Sequence, residues 1–409
     1  MSASMHVLPN GLTVAVDPIA GAESVAVGLY AKVGSRSEPE HLGGLAHLVE
    51  HMVFKGAGGR DTRALAEAIE DVGGSLNAWT ARDQTVFHGR ALARDLTLVM
   101  ELIADLVRAP HFEEGHLERE KQVILSELGE VTDSPDDLVH DHLFEAAFEG
   151  QSLGRSVLGT ETSIGAARRE DCFDWLERQF APSRLVLSAS GKVQPEEILA
   201  LTERLFGDMA PRPAPAVEPA SFTGGVRNDR RSFEQAHWCL AFRGIPADDE
   251  RVSALSLFVQ ALGGGTSSRL FQELREERGL AYSIYAWNHA FEDVGMVGIG
   301  CAAERARAAE SVHLARELLS QIAEDLSQAE LDRARAQVEA GLLMGLETPQ
   351  GRADHMARSI EVFGRVLGLD ELLERIRTVT VEDARASGRR LLDGPVAMAS
   401  VGAKLALAA

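Results

Sequence analysis

Met209-Ala210-Pro211-Arg212-Pro213-Ala214-Pro215-Ala216-Val217-Glu218-Pro219 is the clearest break in this chain of 409 residues. Its four prolines, at near-alternate positions, favour an extended and semi-rigid run of backbone. The break leaves about 200 residues on each side, a common domain size. It places one domain over 1–208, a linker over 209–228 and a second domain over 229–409.

The two halves echo one another. Arg169-Glu170-Asp171 opens a helical stretch that leads into the apolar run Leu185-Val186-Leu187-Ser188-Ala189-Ser190-Gly191. Val381-Glu382-Asp383 does the same before Val396-Ala397-Met398-Ala399-Ser400-Val401-Gly402. Leu117-Glu118-Arg119 is matched by Leu331-Asp332-Arg333, and the helices that follow end near Ser134-Pro135 and Thr348-Pro349. Repeated patterns of this kind point to duplication. Leu12–Val16 and Val25–Tyr30 read as strands. The segments 61–72, 93–108 and 113–131 have helical periodicity. Strands at both ends of each half, with helices between, predict an α+β fold. Each of the two duplicated domains would be a mainly antiparallel sheet covered by helices on one face.

Composition narrows the function. Lys and Arg number 41 against 62 Asp and Glu, a net charge of -21. Nucleic-acid and anionic-membrane surfaces both need a basic footprint, which this balance lacks. A cationic peptide is a compatible partner. No apolar run approaches the roughly 20 residues that cross a bilayer. The first residues show no basic start followed by an apolar stretch, so no secretory signal is expected. Cys172, Cys239 and Cys301 are scattered, which predicts free thiols and a reducing, cytoplasmic setting.

The chemistry is concentrated in His47-Leu48-Val49-Glu50-His51, within a run of good helix formers that Gly56 is expected to stop. On a helix His47 and His51 lie one turn apart, offset by about 40°. Both rings can therefore reach one ion. Glu50 is about 60° from His47, on the same side, and can address a water held by that ion without being a ligand. A catalytic Zn²⁺ takes three protein ligands and keeps one position open, so a remote carboxylate is required.

The segment 113–131 provides one. Glu120 and Glu127 are seven residues apart, so they share a face, and that face falls within the apolar arc of Leu117, Val123, Ile124, Leu128 and Val131. A glutamate on an apolar stripe needs a partner, because an unpaired buried charge costs several kcal/mol. Glu127 is expected as the third ligand, with Glu120 behind it or facing substrate.

These residues closely resemble the M16 family of zinc peptidases, the family of pitrilysin, insulin-degrading enzyme and mitochondrial processing peptidase. Its mark is an inverted HxxEH motif followed at long spacing by a glutamate. The resemblance covers nearly the whole chain and is strongest to small two-domain bacterial members. It implies one Zn²⁺ per chain on His47, His51 and Glu127, with Glu50 as general base and Glu120 supporting activity. It implies that Leu76-Asn77-Ala78-Trp79-Thr80 is an edge strand to which peptide adds, with Asn77 and Ala78 in contact with it. In the second half the segment Gly263–Ser283 resembles one whose arginine and tyrosine, here Arg275 and Tyr282, hold the substrate and its scissile carbonyl. The second half has no HxxEH: the stretch Val252–Val259 is small and apolar, and 334–341 has no paired carboxylates at the right spacing. Larger relatives join four such domains into a chamber, so two domains imply a homodimer, or a heterodimer with a related chain. Relatives without catalysis exist as structural or binding subunits, and these usually lack an intact HxxEH.

Overall fold

In a computed structural model, residues 3–407 are described. They form two compact units, each threaded from separate stretches of the chain. The first comprises residues up to Leu128, Ser156–Glu218 and Leu343–Leu369; the second comprises Gly129–Arg155, Pro219–Leu342 and the residues from Asp370.

The first unit is built on a six-stranded sheet in the order Ser4–Val7, Thr13–Pro18, Leu185–Gly191, Ser24–Ala31, Thr85–Leu92, Ser75–Thr80. Only the pair Thr13–Pro18 and Leu185–Gly191 is parallel. Leu185–Gly191 is buried along its whole length, as is Ser24–Ala31 after its first residue. Burial on both sides means that both faces of the sheet are covered. On one face lies the main core, which includes Leu96, Val99, Met100, Leu102, Ile103 and Leu106 of the helix Leu96–Arg108. On the other lies the single helix Pro349–Phe363, whose Met356, Ala357 and Ile360 pack on Ala15, Tyr30, Val86 and Val186. Polar contacts fix it there: Ser188 Oγ donates to Ala353 O at 2.8 Å, and Arg352 Nη1 to Asp17 Oδ2 at 3.0 Å.

The second unit has a five-stranded sheet in the order Ala281–Ala290, Gly295–Glu304, Gln235–Arg243, Val396–Val401, Gly225–Asp229. Here the pair Val396–Val401 and Gly225–Asp229 is parallel and the rest antiparallel. Followed outward from its parallel pair, each sheet meets its strands in the same chain order, so the topology itself is duplicated. Only Ser4–Val7 has no counterpart. The helix Pro135–Ala147 covers one face, through Leu138, Val139, Leu143 and Phe144.

The boundaries 1–208, 209–228 and 229–409 are corrected by this architecture. Residues 129–155 build the second unit and 343–369 the first. The reason is packing. Each of the two helices that follow a Ser-Pro or Thr-Pro corner buries its apolar side on the sheet of the unit encoded by the other half. The linker is also shorter than expected, because Gly225–Asp229 is already a strand of the second sheet. All three cysteines are free and buried, and burial pushes the Cys172 and Cys301 thiols up to about 12.

Candidate metal centre

The helix Leu45–Val53 carries the HxxEH residues and buries Leu45, Ala46, Leu48, Val49, Met52 and Val53. That apolar side seats it in the core and turns the intervening positions 47, 50 and 51 toward a partly open face. It starts at Gly44, whose φ of 87° is left-handed and where a Cβ would stand 2.5 Å from Leu158 O. It ends at Val53 without a glycine stop. Gly56 serves otherwise than expected: it lies in a short strand at φ 132°, where a Cβ would meet the His111 ring at 2.5 Å.

The helix Glu114–Asp133 lies beside it. Leu117 and Ile124 are in the core, but Val123, expected on the apolar stripe, is 42% exposed. The stripe is thus narrower than the wheel implied, and Glu120 and Lys121 are buried along its edge. Lys121 Nζ is satisfied by Glu118 Oε1 at 2.8 Å.

His47, His51 and Glu127 converge. Their ligand atoms lie within 4.8 Å of one another, and no other such group occurs among the described residues. His47 Nε2 is 3.9 Å from Glu127 Oε2, and His51 Nε2 is 3.7 Å from Glu127 Oε1. The two rings meet edge-on, with centroids 4.5 Å apart. At those separations the three groups face one point without bonding one another. Burial, and then the neighbouring His51, bring His47 down to about 4, so its imidazole is neutral at pH 7 and has a lone pair to give. Two imidazole nitrogens and a carboxylate form a donor set that suits Zn²⁺ and leaves a fourth position for solvent or substrate.

The surroundings fit the same reading. Glu120 Oε2 is 3.2 Å from His51 Nδ1 and Glu120 Oε1 is 3.0 Å from Lys55 Nζ. A carboxylate on Nδ1 fixes a ring so that Nε2 faces the ion. Glu120 therefore stands behind His51, outside the group of His47, His51 and Glu127. Glu50 Oε2 and Thr80 Oγ1 are buried without a hydrogen bond of ordinary geometry. Burial raises the Glu50 carboxyl; the nearby Thr80 hydroxyl and His51 lower it, and Glu127 raises it again. Sequence reading missed Lys55 and Thr80. Lys55 lies four residues after His51, the one hint that it shares a side, but the helix ends before it.

Ser75–Thr80 is an edge strand, as expected, paired only with Thr85–Leu92. Asn77 is exposed, with its Oδ1 taking the Ala78 N–H at 2.9 Å, whereas Ala78 is buried. Arg275 and Tyr282 belong to the second unit. Arg275 sits in a π-helical turn, Phe271–Glu277, its guanidinium 4.8 Å from the centre of the Phe271 ring. Tyr282 is the extra residue of a β-bulge between Ala281 and Ser283, which swings its ring out to 61% exposure. Bulges and π-turns both recur where a side chain has to be re-aimed for function.

Comparison with known proteins agrees with this geometry. The family profile "Insulinase (Peptidase family M16)" matches residues 13–161, and "Peptidase M16 inactive domain" matches residues 166–338. An uncharacterized zinc protease of Streptomyces coelicolor is 33% identical over 405 residues, which is 97% of this chain and 88% of that one.

The chain belongs to the M16 peptidase family.

An uncharacterized zinc protease of Bacillus subtilis is 30% identical, over 96% of each chain. The fold is shared with a protease from Helicobacter pylori, at a TM-score of 0.89 and 22% identity, over 98% of this chain and 99% of that one. It is shared also with a protein from Pseudomonas fluorescens described as a peptidase M16 inactive domain, at a TM-score of 0.90 and 22% identity, over 100% and 99%. No helix among the described residues is long and apolar enough to cross a membrane.

Proposed function

We propose that this M16 protein is a zinc-dependent endopeptidase that hydrolyses short or unfolded peptides, with one Zn²⁺ per chain held by His47, His51 and Glu127. The observation that carries the reading is the convergence of those three side chains, with Glu50 beside them on the same helix. Bound Zn²⁺ supplies Lewis acidity, which makes a water nucleophilic near pH 7 and polarises a carbonyl.

The chain's own residues do the rest. Glu50, ionised, accepts a proton from the attacking water on its carboxylate and delivers it to the departing amine nitrogen, a role worth about 10²–10⁴-fold. Glu120, held by Lys55, keeps the His51 ring turned so that Nε2 remains available. The Ser75–Thr80 edge offers backbone groups that bind an extended peptide with little regard for its side chains. Both the HxxEH residues and the Arg275/Tyr282 pair stand in this one chain, which favours a homodimer. In it, Arg275 and Tyr282 of each chain serve the centre of the other, Tyr282 donating to the developing oxyanion, worth roughly 3–4 kcal/mol. The net charge of -21 favours basic peptides.

The test is direct. Purified protein is expected to carry close to one zinc per chain, cleave an unstructured basic peptide, lose that activity to a strong chelator and regain it with Zn²⁺. Loaded protein inert toward a broad peptide library would refute the hydrolase. Mixing a Tyr282→Phe chain with a Glu50→Gln chain should restore part of the activity; no recovery at any ratio would reject the shared site.

A further inference from the structure

The helix that carries both histidines has no cap of its own. Gly44 makes no side-chain cap, and the first turn contains no acidic residue. The opening N–H groups of a helix nonetheless need acceptors. Two of them are gripped from a distance by one side chain. The Gly44 N–H donates to Glu38 Oε2 at 2.8 Å, and the Ala46 N–H donates to Glu38 Oε1 at 2.7 Å. Glu38 is only 4% exposed. A carboxylate at that depth requires donors on both oxygens, and a helix N-terminus adds the favourable end of its dipole.

The two histidines differ in what orients them. His51 has Glu120 on its Nδ1. His47 has nothing comparable: its Nδ1 is buried without a hydrogen-bond partner. A ligating imidazole is ordinarily fixed by a bond to its second nitrogen. His47 must instead take its place from the backbone, and it directly follows Ala46, whose N–H Glu38 holds. The helix start is further hemmed by Ser163 Oγ, which donates to Gly43 O at 2.7 Å. In the second unit the corresponding helix, Val252–Gly263, likewise has no cap of its own: Asp249 Oδ1 takes the N–H of Arg251, where the helix starts, at 2.9 Å, but it is a near neighbour in sequence rather than a carboxylate brought from a distance.

We propose that Glu38 is a positioning residue for the metal centre. By clamping the first turn it sets where His47 Nε2 points, and so takes over the task that Glu120 performs for His51. The inference rests on the zinc reading above.

The experiment compares caps of two helices in the first unit. Asp61 caps the helix Thr62–Glu70 by accepting the Ala64 N–H at 2.8 Å. Glu38→Gln, Glu38→Asp and Asp61→Ala are prepared metal-free, their melting temperatures measured, and their Zn²⁺ affinities obtained by competition with a chromophoric chelator. Glu38→Gln is expected to bind Zn²⁺ about 10–100-fold more weakly, the range for groups that orient a ligand. Glu38→Asp, which keeps a carboxylate on a shorter arm, should fall between it and the wild type and covers the case in which Glu38→Gln does not fold. Asp61→Ala should lower the melting temperature and leave affinity unchanged. Wild-type affinity in both Glu38 variants, with melting lowered as in Asp61→Ala, would overturn the positioning role and leave an ordinary cap. A wild type that takes up no Zn²⁺ would instead fail the metal reading itself.

Discussion

Two helix pairs, one in each unit, have the same place in the duplicated topology and opposite electrostatics. In the first, His47 and His51 on Leu45–Val53 face Glu127 on Glu114–Asp133 at 3.9 and 3.7 Å, too far apart to satisfy one another. In the second, Gln260 on Val252–Gly263 donates to Gln337 on Gln328–Gly345 at 2.6 Å. The same helix also carries Glu330, whose carboxylate takes two bonds from Arg269, at 2.6 and 2.9 Å. One pair is closed by its own side chains; the other is left open around a point. Open polar groups at this burial are costly in a protein that gains nothing from them. The duplicated fold thus needs no metal, since one copy manages with amides and an ion pair. The Zn²⁺ proposed for the first copy's cluster would account for the difference.

The contrast between the two pairs is most exposed to test at Glu50. Glu50→Gln should keep its zinc and lose about 10²–10⁴-fold in kcat; turnover within a few-fold of wild type would show that the proton goes elsewhere. Glu127→Gln comes next. It should weaken Zn²⁺ binding by more than the about 10–100-fold that loss of a group behind a ligand produces, and Glu120→Gln should fall inside that range. Equal losses at the two positions, read by chelator competition, would erase the distinction between ligand and support.

What the sequence made legible was what local periodicity determines. Positions 47, 50 and 51 share a helix side whatever the rest of the chain does, and 120 and 127 share another. The partial match between the halves was legible from repeated residue patterns, and the edge position of Ser75–Thr80 only through the family resemblance. The elements that escaped are joined through space. Glu38 reaches the helix from a preceding loop, Lys55 acts from just past the helix end, and Thr80 meets Glu50 from a strand. The crossing of Pro135–Ala147 and Pro349–Phe363 into the units of the opposite halves is likewise invisible to a reading that takes sequence neighbours as spatial ones. Val123 shows the converse limit: an apolar residue on the correct arc of a wheel is still exposed when the neighbouring helix covers only part of that arc.

The second unit's own closure predicts a pH effect. Burial alone would raise the Glu330 carboxyl, but the Arg269 guanidinium and the Ser327 hydroxyl and N–H outweigh it and bring it down to about 2. A carboxyl lower in the folded than in the unfolded chain stabilises the fold above its unfolded value, near 4.5. That stability is lost as pH falls through the folded value. Glu330→Gln should therefore cost about 1.5–3 kcal/mol at pH 7, the range for bonds to a charged group. The gap from wild type should narrow between pH 4.5 and 2 in denaturant titrations. A gap independent of pH would mean that packing, not charge, holds the pair.

The smallest effect belongs to the amide bridge, and it tests the contrast from the other side. Gln337→Ala removes one partner of a neutral hydrogen bond on an exposed stretch, where water can replace it, so the loss should be about 0.5–1.5 kcal/mol. Zinc content and peptide turnover should not change, because Gln337 lies outside the unit that holds His47, His51 and Glu127. If Zn²⁺ affinity fell together with stability, the two helix pairs would be energetically coupled, and the second copy could no longer be read as an independent, metal-free version of the first.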